Sequence, residues 1–539
     1  MAIAAPAQAT VPDVLVDPAR AYVTARAAAI SGNHAEAAEI YARLASSSAD
    51  ADLRQKAIAQ AISAGDMALA IRLIRQAPQT LPIDSKLLLV ADALRRGRSA
   101  EAQRLLGKSV SGVDLSFWEP LVEAWSAADR RDMTTAMTVL GRVPRNSALA
   151  PFVDEQSALI LVKLGRTAEA EPYARRAIGA AGPREYRLRL ALSAAFAAAR
   201  DKPRAEAMID GISGDTTAIR QALDSGRLKS LMIDTAPKAF AEQLIALALE
   251  MRRSPGGPGV PVNILQIARY SAPANSSSAI LLGNFLADQG RLEDSLAAYR
   301  SVGDADPLKT EARDAEARTL SESKRFGEAL ALATQAVRDR AAASDDFARL
   351  ADVYSSMKRY NEAAEAYKKA VELAAKAPKA RVWPLLLLQA SALNSAGRWP
   401  ESKAALNAAL EIAPDEPLIL NFLGYAKLEH GEDLDTAEAM VRKASELAPD
   451  DASITDSLGW ALFKRGRIDE AIAILQKAAV GDPTQAEIQE HLGDALYTAG
   501  RHFEARYAWE AALATAGDVE TARIKSKIET GLTNTTAAP

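Results

Sequence analysis

No cysteine occurs in the sequence. Its absence removes disulfides, thiolate nucleophiles, cysteine-ligated zinc and any lipid-bearing cysteine from this chain, while leaving the compartment open. Aromatic residues are also scarce, at 5% against 49% hydrophobic residues in all, and alanine carries much of the difference. Side chains that small favour close helix–helix packing over large aromatic cores. Neither sign of charge dominates: 65 Lys and Arg face 69 Asp and Glu, for a net charge of −4. The chain therefore has no overall basic field, and nucleic acid is not an expected partner. No apolar run approaches the ~18 residues that a membrane-spanning helix needs. No strand pattern of useful length is present.

Signatures of catalysis are missing too. The four histidines, His34, His430, His491 and His502, stand in no metal-ligand spacing and read as exposed or turn residues. The stretch SPGGPGVP has no strand before it and no Gly-Lys-Ser/Thr after it, and G-x-S-x-G does not occur. Paired acids such as Glu432 with Asp433 and Asp450 with Asp451 lie at predicted turns and helix starts, where carboxylates cap amides. The expectation is a non-enzymatic protein with no cofactor and no metal.

What is present is a period. At 539 residues the chain is too long for one ordinary core, which leaves several domains or a repeat array. In DSLGWALFKRGRIDEAIAILQKA, residues 456–478, the residues Leu458-Gly459, Leu462, Ala471, Leu475 and Ala478, followed by Pro483, match the tetratricopeptide pattern, whose period is about 34 residues. With Gly459 as marker, the register recurs at Gly283, Ala317, Ala351, Ala390, Gly424 and Gly493. The intervals are 34, 34, 39, 34, 35 and 34.

The pattern has a steric reason. A Gly or Ala marker lets helix A of a repeat approach its own helix B, where Ala329, Ala363, Ala437, Ala471 and Ala505 supply the facing small residue. Tyr299, Tyr367, Leu406, Val441, Leu475 and Trp509 are then expected to fill the space toward the next repeat. Glycines at 290, 397, 431, 466 and 500 suit a left-handed turn between the helices, and Pro307, Pro414, Pro449 and Pro483 stop helix B. Extra residues at 375–384 and 430–435 are candidate contact loops. The first half carries the pattern more faintly, with markers near Ala25, Ile58, Val90, Ala124, Ala158 and Ser193.

The expected fold is all-α: a tetratricopeptide solenoid, a right-handed superhelix of antiparallel helix pairs, in two arms. Residues 1–16 form a tail, 17–214 degenerate repeats, 215–275 an irregular helical connector with a Pro/Gly hinge, 276–516 seven repeats, and 517–539 a capping helix and disordered tail. Charge is uneven along this ladder. Residues 160–204 hold ten Lys/Arg and four Asp/Glu, a net of +6, whereas 411–460 hold three and twelve, a net of −9.

Helical geometry also selects the residues that face the groove. At 100° per residue, positions −6, −3, +1, +4 and +5 from the marker lie about 140° from the packed side. In the last three repeats this set includes Asn421 and Tyr425; Asp456, Trp460, Phe463 and Lys464; and Glu490, Asp494 and Tyr497. Tyr and Trp beside polar groups are the usual composition of binding hot spots. These residues are the expected contact set for a protein partner, and packing of Trp460 and Phe463 against a neighbouring or capping helix is the alternative. The lysines and asparagines of a chaperone-tail clamp are absent, because Asp456 and Trp460 occupy two of those positions.

The run from Gly397 through HLGDALYTAGRHFEARYAW resembles the C-terminal repeats of large proteobacterial envelope tetratricopeptide proteins, most closely over 390–512. The resemblance implies an adaptor that delivers substrates to a periplasmic carboxyl-terminal processing protease. The lipid-anchored members of that set carry a lipobox cysteine that this chain lacks. Ala7-Gln8-Ala9 matches a signal-peptidase site, so residues before it read either as the end of a secretory leader or as an alanine-rich tail. The resulting expectation is a periplasmic or outer-membrane-associated scaffold, with a cytoplasmic scaffold as the alternative.

Overall fold

In the computed structural model, the described residues are 17–48, 50–76, 82–107, 114–212, 216–253, 259–338, 342–374, 382–533 and 538. Among them 30 α-helices and four short 3-10 turns follow one another, with no strand. The expected all-α repeat fold is observed. The N-terminal tail, the start of the Pro/Gly hinge and most of the 375–384 insertion lie outside the described residues. The chain divides into two compact units, 1–325 and 326–539.

The marker register explains the packing in each unit. In the first, Ala25, Ile58, Val90, Ala124, Ala158, Ser193, Gly283 and Ala317 are all buried on the first helix of a pair. In the second, Ala351, Ala390, Gly424, Gly459 and Gly493 repeat this. At the glycines the helices touch through bare backbone. A Cβ added at Gly493 would lie 2.3 Å from Trp509 Cδ1, and one at Gly459 would lie 2.6 Å from Leu475 Cγ. Tyr299, Leu475 and Trp509 thus sit on the marker of their own repeat, which corrects their assignment to the space beyond it. Tyr299 also reaches onward, its hydroxyl 3.5 Å from Thr319 Oγ1.

The turns between paired helices are left-handed. Gly290, Gly397, Gly431, Gly466 and Gly500 have φ of 71°, 73°, 66°, 75° and 78°. Arg131, Arg200, Lys324 and Lys358 hold the same conformation without being glycine, at 59°, 63°, 60° and 57°. A side chain there costs about 1–2 kcal/mol, partly offset by the greater entropy glycine loses on folding. Lys358→Gly is therefore expected to stabilise the second unit by about 0.5–1 kcal/mol, read as a higher urea midpoint at unchanged slope. An arginine follows several turns and grips the acid three residues on, as in Arg398 to Glu401 and Arg467 to Glu470, at 2.6 and 2.5 Å. Arg398 and Arg467 also reach back to Glu365 and Glu438 of the preceding repeat, at 3.0 and 2.7 Å. These pairs are exposed, so they set register more than they add stability.

Within the first unit, the segment expected as a connector is part of the packing. Helix Ala236–Arg253 lies against Ile83–Arg95 and Glu119–Asp129, and Gly259–Ser271 lies against Ala51–Ala64 and Ile83–Arg95. Ser63 donates to Asn263 at 2.6 Å, and the Tyr270 hydroxyl donates at 2.8 Å to Asp92, which is 2% exposed and also pairs with Arg75 and Arg96. Arg291 donates to the Ser63 carbonyl at 3.1 Å, so the repeat after the connector also touches the N-terminal helices. The first unit accordingly runs to 325, past the end of the connector.

Candidate functional site: the A-helix face of the C-terminal repeats

Three A helices of the second unit carry the predicted contact set: Pro417–Glu429, Ala452–Lys464 and Ala486–Thr498. Their starts are fixed by side-chain caps where the sequence offers them. Asp451 accepts from the Ile454 amide at 3.0 Å, and Glu416 accepts from Leu418. The loop at 430–435, a candidate contact loop, is mostly exposed and is held in shape by the preceding repeat. Glu432 accepts from Trp399 Nε1 at 2.8 Å and Lys403 at 2.7 Å, His430 stacks on Trp399, and Asp433 caps the next helix with φ of 43°.

The centre of the face is a stack of rings over an ion pair. Trp460 lies between Phe463 and His491, with ring centroids 4.7 and 4.0 Å away and interplanar angles of 14° and 12°. Lys464 Nζ is 4.9 Å from the Trp460 ring centroid. Trp460 is 1% exposed. His491 is fully buried, not the exposed or turn residue the sequence suggested, and its Nδ1 lies 2.8 Å from Asp456 Oδ2. Burial opposes a charged imidazole. Burial is the largest single influence, but Asp456, Glu487 and Asp494 together overcome it, so His491 titrates above its usual value. A protonated His491 donates from both ring nitrogens.

Four polar atoms on this face are buried without a hydrogen-bond partner: Asn421 Oδ1, Asp456 Oδ1, Trp460 Nε1 and His491 Nε2. Two are acceptors and two are donors. Asn421 and Asp456 occupy the same position in successive repeats, three residues before the marker. Tyr425, half-buried, adds a hydroxyl at the rim; burial, then Glu429, Glu487 and Asp456, hold its phenol well above the usual range.

Toward the C-terminus the face is covered by the chain itself. Helix Asp518–Thr530 caps the array as expected, but through charge as well as apolar contact. Lys527, with no exposed surface, donates to Glu490 at 2.6 Å and to both oxygens of Asp494 at 2.8 Å. Arg523 grips Glu490 with two bonds of 2.8 and 2.7 Å. Burial alone would raise the Glu490 carboxyl; Arg523 and Lys527 overcome it and hold it below its usual range. Asp494 also accepts from Trp509 Nε1 and from the Ala538 amide, each at 2.9 Å. Tyr497 stacks on His502, and Gly531 passes so close that a Cβ there would lie 2.2 Å from the Tyr497 hydroxyl. Within the tail expected to be disordered, Ala538 is buried, while 534–537 and 539 lie outside the described residues.

The contact set thus divides. Asn421, Tyr425, Phe463 and Tyr497 are half-buried and Lys464 is exposed. Asp456, Trp460, Glu490 and Asp494 are 5%, 1%, 1% and 0% exposed, which corrects the picture of them as an open groove surface. The reason is local. The face of one A helix is covered by residues of the next, and the last is covered by the capping helix, whose cations period arithmetic could not place. The Asp456–His491 pair spans 35 residues, one repeat plus one. The sequence signal for it was an acid at a groove position facing a histidine one repeat later.

Family models describe the same register. Models for a tetratricopeptide repeat match residues 156–212 and 387–452, and another matches 347–376. A further TPR-repeat model matches 459–500, around Gly459, Trp460 and Gly493. These segments of the chain carry tetratricopeptide repeats. The match at 156–212 falls in the half where the pattern is faint by eye. Compared with curated proteins, the chain matches none. Among solved structures it is similar to the APC/C hetero-tetramer Cut9-Hcn1, at 14% identity over 95% of this chain and 96% of that one, with a TM-score of 0.39. It is similar to yeast Tom70 at 12% identity over 96% of each chain, TM-score 0.35. YrrB, described as a TPR protein with an unusual peptide-binding site, matches at 19% identity over 36% of this chain and 97% of its own, TM-score 0.27. Among the described residues no group of His, Cys, Asp and Glu is placed to hold a metal ion, and no helix is long and apolar enough to cross a membrane.

Proposed function

We propose that this chain is a non-enzymatic scaffold of the bacterial cell envelope. In this reading it binds a partner protein along the A-helix face of its C-terminal repeats and presents substrates to a periplasmic protease. The observation that carries the contact surface is the accessible rim beside the buried ring stack, where Asn421, Tyr425 and Phe463 are half-buried and Lys464 is exposed. An extended peptide brings an N–H and a C=O at every residue, so a segment laid along this rim can pair with the Tyr425 hydroxyl while the buried stack beneath it stays closed. Side chains along the rim, Tyr425, Phe463 and Lys464, supply aromatic surface and a charge to orient it.

The envelope assignment rests on the resemblance of 390–512 and on the Ala7-Gln8-Ala9 site, and is tested apart from the surface. Fractionation of cells expressing the gene with its upstream codons should recover a processed chain from the periplasm; recovery from the cytoplasm favours an assembly or regulatory scaffold there. For the surface, Tyr425→Ala and Lys464→Glu change the rim without emptying the core. Each is expected to reduce capture of the partner from envelope extract at least fivefold, with the melting temperature unchanged. Equal capture by wild type and both variants would remove this face from the proposal.

A further inference from the structure

The first unit contains a cavity of about 850 Å³ that the repeat pattern does not account for. It opens where helix Ala236–Arg253 crosses the inner ends of the repeats between 117 and 187. Its walls are apolar: Phe117, Trp118, Phe152, Leu247, Leu249 and Leu281 are among the lining residues. The volume lies within the range of small-molecule sites, which are mostly apolar with a few convergent polar groups. The polar lining residues are Arg184, Arg187, Gln243 and Glu250. Gln243, 2% exposed, has an Nε2 with no partner, and the Nε and Nη1 of Arg187 are also buried and open. Both residues line the cavity.

The chemistry of these groups limits what fits. All three open atoms are donors, so a ligand must bring acceptors. The charges beside them are already matched. Arg184 pairs with Glu155 at 2.7 Å, and Arg187 pairs with Glu242, which also accepts from Asn275 at 2.8 Å. An additional negative charge would therefore lack its own cation, whereas a neutral carbonyl oxygen would take the open N–H groups at no such cost. A peptide would bring its own N–H donors against walls that are largely hydrocarbon, and these would go unpaired. An acyl chain has none.

We propose that this cavity is an acyl-ester site: the hydrocarbon chain lies among Phe117, Trp118, Phe152 and the leucines, and the ester carbonyl accepts from Arg187 and Gln243. The site is in a different unit from the peptide face and does not depend on it. Calorimetric titration of the full chain with methyl decanoate, sodium decanoate and decane, each below its solubility limit, tests it. The ester is expected to bind, and the carboxylate and the alkane each to bind at least tenfold more weakly. Ala246→Phe fills the cavity without touching a charge and is expected to weaken ester binding at least tenfold, with circular dichroism and melting temperature reporting that the variant is folded. Gln243→Leu is expected to reduce the preference of ester over alkane about fivefold. No binding of the ester to wild type overturns the proposal, as does ester binding unchanged in a folded Ala246→Phe. Alkane bound as tightly as ester overturns the role of the donors, and carboxylate bound more tightly than ester overturns the neutral head group.

Discussion

Lys527→Ala is expected to destabilise the 326–539 unit by about 3–5 kcal/mol, the cost of leaving buried charge without its partner. The lysine is fully buried between Glu490 and Asp494, which are 1% and 0% exposed. Removing it leaves Asp494 with only two neutral donors, Trp509 Nε1 and the Ala538 amide, and leaves Glu490 to Arg523 alone. Urea denaturation followed by tryptophan fluorescence reads the effect, because Trp509 is bonded to Asp494. The control is Lys525→Ala, two residues away on the exposed side of the same helix, expected within about 0.5 kcal/mol of wild type. Combining Lys527→Met with Glu490→Gln and Asp494→Asn should recover most of the loss, since a buried pair replaced by neutral groups of similar volume is often near neutral. A single-variant cost equal to that of Lys525→Ala would mean that the network does not hold the capping helix. The two carboxylates of the network respond to acid in opposite senses, because burial raises Asp494 while Glu490 is lowered. Glu490 is held below its usual value, so its contribution is complete above that value and is lost as pH falls through the lowered one.

The steric part of this protein is written openly in its sequence. A Gly or Ala every 34 or so residues is a demand for close approach, met at the glycines by Tyr299, Val441, Leu475 and Trp509, and every such marker is buried. The turn glycines say the same of the backbone, and their register even identifies Arg131, Arg200, Lys324 and Lys358 as strained substitutes. Two kinds of information were not legible. Helices Ala236–Arg253 and Gly259–Ser271 follow no repeat register, and what they pack against depends on contacts as distant in sequence as Ser63 with Asn263. The accessibility of the A-helix face was hidden for another reason. Periodicity gives the direction of a side chain but not what covers it. Trp460 does point away from its own helix B, yet His491 of the next repeat lies flat against it. Glu490 and Asp494 point the same way and meet Lys527.

The second large effect is expected at the Asp456–His491 pair, and it carries a sign that a purely steric core would not show. In the wild type His491 titrates above its usual value because Asp456, against the effect of burial, favours the charged ring. A raised value means that the pair's stabilisation is complete below the ordinary histidine pKa of about 6.5 and is lost as pH rises through the elevated one. Asp456→Asn removes the partner but keeps the shape. Burial, already the largest influence on this fully buried ring, is then opposed only by Glu487 and Asp494, so its titration falls from the wild-type value and protonation no longer favours folding as it did. The cost of the substitution is therefore expected to be about 3–5 kcal/mol at pH 5.5, where protonation stabilises only the wild-type pair, and to shrink as pH rises through the elevated wild-type value. Glu487 and Asp494 also favour the charged ring. Asp494 is already engaged by Lys527, so Asp456 supplies the direct contact. Urea midpoints at pH 5.5, 7.0 and 8.5 give the slope, and NMR titration of the four histidines identifies the ring responsible. A cost that is the same at all three pH values would show that Asp456 acts by shape alone. Trp460 would then rest on a neutral imidazole, and whether the buried His491 Nε2 carries a hydrogen would depend on the tautomer instead of being fixed by charge.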